Sequence, residues 1–262
     1  MNVAALVSGS WDLASAGIYA VLAWTLSRRQ VSAASRVANT QFAVWWGALS
    51  ASTLIGSLES LYAAFAAPGL DVAASALLLT VAVICVALWG LVGYLIFVFT
   101  GRYHLLPLTL VYVVYYVLLS SFVTARLVDY VATNGAAGAV SVVDGSVSLN
   151  FITTGGGAAL DLLLAFLLLP EIVGAVLYLT LYRRTTDRTV RFRILMVGGG
   201  LLGWLGSSSI LALVGASGSL AGLVFTRTTG VVAALAILMA FRPPEWVRTR
   251  FDLNPPALEV GA

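Results

Sequence analysis

Lysine is absent from this 262-residue chain, and cysteine and histidine occur once each, as Cys85 and His104. Without lysine there is no side-chain amine to form an imine, because an arginine guanidinium stays protonated. One cysteine excludes an internal disulfide, and Cys85 inside an apolar run reads as a small packing residue. One histidine excludes bis-histidine haem ligation and a multi-histidine metal centre, so no metal is expected. Charge is scarce too: 10% of residues are Asp, Glu, Lys or Arg, against about 25% in soluble domains. In its place 60% of the chain is apolar, and the mean hydropathy is +0.99. A chain this apolar cannot hide its side chains in one soluble core. It reads as an all-α integral membrane protein, which excludes disorder, nucleic-acid binding and an ordinary soluble enzyme.

A spanning helix needs about 20 mainly apolar residues. Seven segments meet that requirement: Leu6–Leu26, Phe42–Ala66, Val72–Phe99, Leu105–Thr124, Ala158–Tyr182, Ile194–Val214 and Leu220–Phe241. Residues 1–241 form one seven-helix transmembrane domain, and 242–262 a short tail. With seven spans, twelve of the 14 basic residues fall on one side: Arg28, Arg29, Arg36, Arg102, the run from Arg183 to Arg193, then Arg242, Arg248 and Arg250. Cytoplasmic loops collect arginine. The expected orientation is therefore N-terminus outside and C-terminus inside, in a prokaryotic cytoplasmic membrane. Met1–Ser10 carries no basic n-region, so no cleavable leader is expected. Asp144-Gly145 between two β-rich runs predicts a short extracellular β-hairpin between the fourth and fifth spans.

Charges inside a bilayer are costly, so they face the bundle interior and pair. Counting about 1.5 Å per residue puts Asp12, Glu59, Asp161 and Arg227 in the outer half of the first, second, fifth and seventh spans. If the seventh helix closes against the first two, Arg227 reaches Glu59 first and Asp12 second. Two readings follow: an outer polar site that binds a ligand, and an interhelical ion pair that only locks the helices. Ser52, Gly56 and Glu59 share one face of the second span, with Thr53, Ser57 and Ser60 beside it. Asp12, Ser15 and Tyr19 share one face of the first, and Thr226 and Thr228 flank Arg227. Arg126 and Asp129, at i and i+3, are placed to pair with each other. Deeper in, Glu171 follows Pro170 and lines up with Tyr178 and Tyr182. That stripe reads either as a proton relay or gate, or as a hydrogen-bonded packing contact.

Trp45 and Trp46 lie near the inner end of the second span and are expected to anchor at the interface. Gly199, Gly203 and Gly206 form a small-residue face for close helix contact. His104 falls at an inner turn. Neither a Ser/His/Asp set nor a zinc-protease motif is present, so no enzyme is expected.

Seven spans in about 260 residues, with short loops, an outside N-terminus and a small outer hairpin, resemble the microbial rhodopsin architecture in topology. That resemblance implies a seven-helix bundle around a central pocket. Rhodopsins bind retinal through a lysine on the seventh helix, and this chain has none, so covalent retinal is excluded. A noncovalent apolar ligand or lipid remains possible on that resemblance. The segment Phe241-Arg-Pro-Pro-Glu-Trp-Val-Arg248 is also similar to the exit of prokaryotic seven-helix sensor modules. That similarity implies a receptor or sensor with a separate signalling partner. A small-molecule, ion or proton transporter or channel is the alternative.

Overall fold

The computed structural model describes the backbone of residues 1–28, 33–136, 138–143, 145–153, 157–213 and 220–253. Within these, the side chains of 33–35, 146, 148, 152–153, 157–168, 171, 205–213, 220 and 223 are outside the description. The chain order is α1 (Val3–Ser27), α2 (Ala33–Phe65), α3 (Leu70–Thr100), α4 (Leu105–Asn134), β1 (Val140–Val143), β2 (Ser146–Leu149), α5 (Asn150–Thr153), α6 (Gly157–Arg184), α7 (Arg188–Leu213), α8 (Leu220–Phe241) and α9 (Glu245–Phe251). Among the described residues, α1, α3, α4 and the Val224–Phe241 part of α8 are long and apolar enough to cross a membrane.

Local chemistry sets the helix ends. The Asn2 side chain accepts from the Ala5 backbone N–H at 3.1 Å, which caps α1. Gly101, at φ 67°, closes α3 in the left-handed region, where a side chain would be strained. Asp187 accepts from the Val190 N–H at 2.8 Å and opens α7. Pro243 and Pro244 stop α8, since neither supplies the N–H that helix continuation needs.

The helices pack as a ring in which α1 meets α2, α2 meets α3, α3 meets α6, α6 meets α7, α7 meets α8, and α8 returns to α1. The order is not strictly sequential, because α6 packs on α3 and α4 lies against the flank of α3. On α4 the buried side chains Leu108, Tyr112, Tyr115, Leu119 and Val123 follow a helical period. Its other faces expose Leu106, Leu110, Val114 and Leu118.

The α1–α2 contact is a serine zipper. The Ser50 hydroxyl donates to the Ala16 carbonyl at 2.7 Å, and the Ser57 hydroxyl donates to the Gly9 carbonyl at 2.7 Å. Both sides are spaced by one heptad, so two antiparallel helices meet in register twice. The approach is close because α1 has no side chain at Gly9, where a Cβ would lie 2.8 Å from Leu61 Cγ. Replacing Ser57 by alanine is expected to cost about 0.5–1.5 kcal/mol. Reversible unfolding in detergent would measure it.

The α2–α3 contact is closer still. A Cβ on Gly90 would lie 2.6 Å from the Gln41 carbonyl oxygen and 2.9 Å from the Trp45 nitrogen. The main core fills the ring below this level. Phe42, Trp45 and Trp46 of α2 are each at most 1% exposed. Phe42 stacks on Tyr94 with centroids 4.3 Å apart, and Trp46 stacks on Trp204 at 6.3 Å. The expectation that Trp45 and Trp46 anchor at the membrane interface is therefore corrected. The cause is the length of α2, which begins nine residues before Phe42 and carries the tryptophans into the bundle.

β1 and β2 pair antiparallel, Val140 opposite Leu149 and Val143 opposite Ser146. Gly145, at φ 86°, turns between them and lies against the Ala4 backbone. Val142 and Val147 pack on Ala5, Ala63 and Ala64, so the hairpin covers the start of α1 and the end of α2. Asp144 lies outside the described residues.

Candidate functional site: a buried ion pair between α1 and α8

One face of α1 carries Ala5, Ser8, Asp12, Ser15, Tyr19, Leu22 and Leu26, all buried. The spacing alternates three and four, the repeat of a helix seam. Asp12 lies in the middle of its outer part and is 3% exposed. Across the ring, Arg227 projects from α8. Its Nε donates to Asp12 Oδ1 at 2.6 Å. The length is that of a charge-assisted hydrogen bond.

The surroundings of Asp12 are small and polar rather than greasy. Gly56 of α2 leaves room beside the carboxylate, and a Cβ there would sit 3.9 Å from Asp12 Oδ2. Thr53, Ser57 and Ser60 are buried on α2, and Ser8 and Ser15 on α1. Ser15 is spent on its own helix, donating to the Trp11 carbonyl at 2.9 Å. The Ser8 hydroxyl is buried with no hydrogen-bond partner among the described residues. Burying a carboxylate here is tolerable because its partner is a guanidinium at bonding distance; alone it would be strongly disfavoured.

The two partners are not equally enclosed. The Asp12 side chain is 4% exposed and that of Arg227 is 34% exposed. Arg227 uses Nε for the carboxylate, so its two terminal nitrogens project further donors. Their planar fork suits a second oxyanion.

About 10 Å further along α1, Tyr19 closes the site from below. Its ring lies 5.4 Å from Trp46 and 6.5 Å from Trp204. A Cβ on Gly230, one turn after Arg227, would collide with the Tyr19 hydroxyl. Gly230 thus lets α8 approach α1 at the level that sets the ion pair. The sequence reading missed this residue, although a glycine three positions after a buried arginine is a usable signal.

The expected partner of Arg227 is corrected. Arg227 pairs with Asp12, and Glu59 forms no salt bridge among the described residues. The buried polar stripe of α2 is Thr53, Ser57 and Ser60, each at most 7% exposed, rather than Ser52, Gly56 and Glu59. Both sets have the same helical period and differ by one residue, so periodicity alone did not choose between them. Ser57 chose, through its bond to Gly9. The side chains of Asp161 and Glu171 lie outside the described residues. Thr226 and Thr228 donate to the carbonyls of Gly222 and Val224 on their own helix, so they do not line the site. Arg126 and Asp129 approach to 3.9 Å.

Tyr178 is fixed rather than free to relay. Its hydroxyl donates to the Tyr94 hydroxyl at 2.5 Å, with Phe99 edge-on at 5.8 Å. Tyr182 carries the Arg191 guanidinium over its ring at 4.5 Å. The glycine face of α7 is corrected as well. Gly199 and Gly203 face open space, and the close contact is made by Gly200, where a Cβ would lie 3.2 Å from the Ala233 carbonyl oxygen.

Among the described residues, no three His, Cys, Asp or Glu side chains gather as a metal site. The fold and the buried pair define a helical membrane protein with an ion pair that closes the ring between its first and last long helices. No protein family, curated protein or solved structure compared with the chain matches it.

Proposed function

We propose that the chain is a seven-helix receptor or sensor of a prokaryotic cytoplasmic membrane, N-terminus out and C-terminus in. Its outer site is the Arg227 guanidinium held by Asp12, and its ligand is a small oxyanion that competes for or adds to that guanidinium. The signal passes to a separate partner at the inner face. No imine is formed in this reading, for the chain has no lysine.

One observation carries the choice of sensing over transport. Below the pair the ring is filled by Tyr19, Phe42, Trp45, Trp46 and Tyr94, buried and in mutual ring contact. A transport path from Asp12 would have to cross that block. A sensor needs only that ligand contact with Arg227 moves α8 against α1, a differential interaction between two states.

Flux in proteoliposomes tests it. The expected result is no passage of protons, sodium or small anions above that of empty vesicles, with added carboxylate or phosphate shifting the melting temperature of the wild type but not of Arg227→Met. Sustained flux lost in Asp12→Asn would replace the sensor by a transporter. A reporter inserted between Arg184 and Arg188 that is active only outside the cell would overturn the orientation.

A further inference from the structure

At the end of the fold away from the β-hairpin, α9 folds back on the start of α7, where Phe192, Val247 and Leu253 form a small core. A cavity of about 540 Å³ opens beside this contact. Its rim carries Arg188, Arg191 and Arg250, and the acid at the rim is Asp252. Arg188 Nη1 donates to Asp252 Oδ2 at 3.0 Å, with both side chains at least 75% exposed. An ion pair that open is weak and leaves Arg188 able to turn to a better anion. Arg250 forms no ion pair among the described residues. Three guanidinium groups against one carboxylate leave the rim cationic.

The floor is of the opposite character: Phe192, Leu195, Met196 and Phe251. Leu195 and Met196 also begin a second cavity of about 280 Å³, which continues between α7 and α8 past Gly199, Gly203, Val232 and Ala236. A Cβ on Gly199 or Gly203 would touch nothing within 4 Å, so the groove is open along α7. The step from Leu195 to Gly203 is about 12 Å of helix. Trp246, 67% exposed on α9, lies beside this end, where an amphipathic ring suits the membrane–water boundary.

We propose that these two cavities are one lipid site: the arginines hold the phosphate of an anionic phospholipid, and the α7–α8 groove takes an acyl chain. Basic pockets at helix ends suit anionic headgroups, and arginine matches phosphate oxygens with paired donors. A free phosphate ion would use the rim alone and has no need of the groove. Lipid is thus the source that accounts for both cavities.

The test is to titrate purified protein in detergent with dioleoylphosphatidylglycerol, dioleoylphosphatidylcholine or inorganic phosphate. Native mass spectrometry counts the bound lipid, and competition by the ion is read in the same titration. The anionic lipid is expected to bind, the choline lipid to bind at least tenfold more weakly, and phosphate not to compete at equal concentration. Arg188→Gln, Arg191→Gln and Arg250→Gln together should lower the affinity about a hundredfold, at about 1 kcal/mol per arginine. Gly203→Leu keeps every charge, has space for its Cβ, and should also weaken binding. Equal binding of the choline lipid, competition by phosphate at equal concentration, or unchanged binding in Gly203→Leu would each overturn the site. The wild-type comparison decides even if a variant fails to fold.

Discussion

Asp12→Ala is expected to destabilise the protein by about 3 kcal/mol, more than any other single truncation on α1. The substitution leaves Arg227 facing an apolar interior with no carboxylate. Arg227 is 34% exposed, so water offsets part of the loss, and the cost falls at the lower end of the range for broken buried pairs. Arg227→Met should cost a similar amount, since Asp12 is then left buried alone. Removing both charges together should be milder than removing either one. A coupling of about 2 kcal/mol in the double-mutant cycle is expected, read from unfolding in detergent. Glu59→Gln should change stability by less than about 0.5 kcal/mol, because Glu59 takes no part in the pair. Additive effects at Asp12 and Arg227 would remove the ionic hub from this account.

Gly90→Val should be at least as damaging, for a reason of shape rather than charge. The added atoms meet the Gln41 carbonyl oxygen and the Trp45 nitrogen of the α2 backbone. Backbone cannot swing aside as a long side chain can, so α2 and α3 must separate. Overpacking of this kind costs about 1–3 kcal/mol, and more where a whole helix has to shift. The opposite sign is expected at Gly199, where a Cβ has open space. There Gly199→Ala should stabilise by about 0.5–1 kcal/mol, since alanine loses less backbone freedom in a helix. Melting of the two variants in one detergent would compare them directly. A Gly90→Val protein as stable as the parent would contradict the α2–α3 approach.

The α1 seam was legible because Asp12, Ser15 and Tyr19 repeat at helical spacing with small residues between them. The involvement of Arg227 was legible because a charge so deep in an apolar run must have a partner. Which carboxylate it takes was not. Glu59 and Asp12 lie at similar depth, and the choice turns on the rotation of α2 about its axis, set by the Ser57–Gly9 bond. The buried tryptophans escaped notice because a Trp near the end of an apolar run serves equally as an interface anchor or a core residue. Only the start of α2, upstream of the apolar run, tells them apart. The two glycine faces of α7 could not be ranked from spacing, since Gly198, Gly199 and Gly200 are consecutive and each faces a different neighbour.

Asp12 and Arg227 are 215 residues apart in the chain, and that separation is also an interval of time. At about 5–20 residues per second of synthesis, α8 follows α1 after about 10–40 s. For that interval the carboxyl of Asp12 has no guanidinium to meet. What it has is α2, already made, with Ser57 bonded to Gly9, Ser50 bonded to Ala16, and Gly56 leaving a gap beside the carboxylate. The serine zipper is thus a nursery for a charge whose partner has not yet been translated. The ion pair is the clasp that shuts when the last long helix arrives.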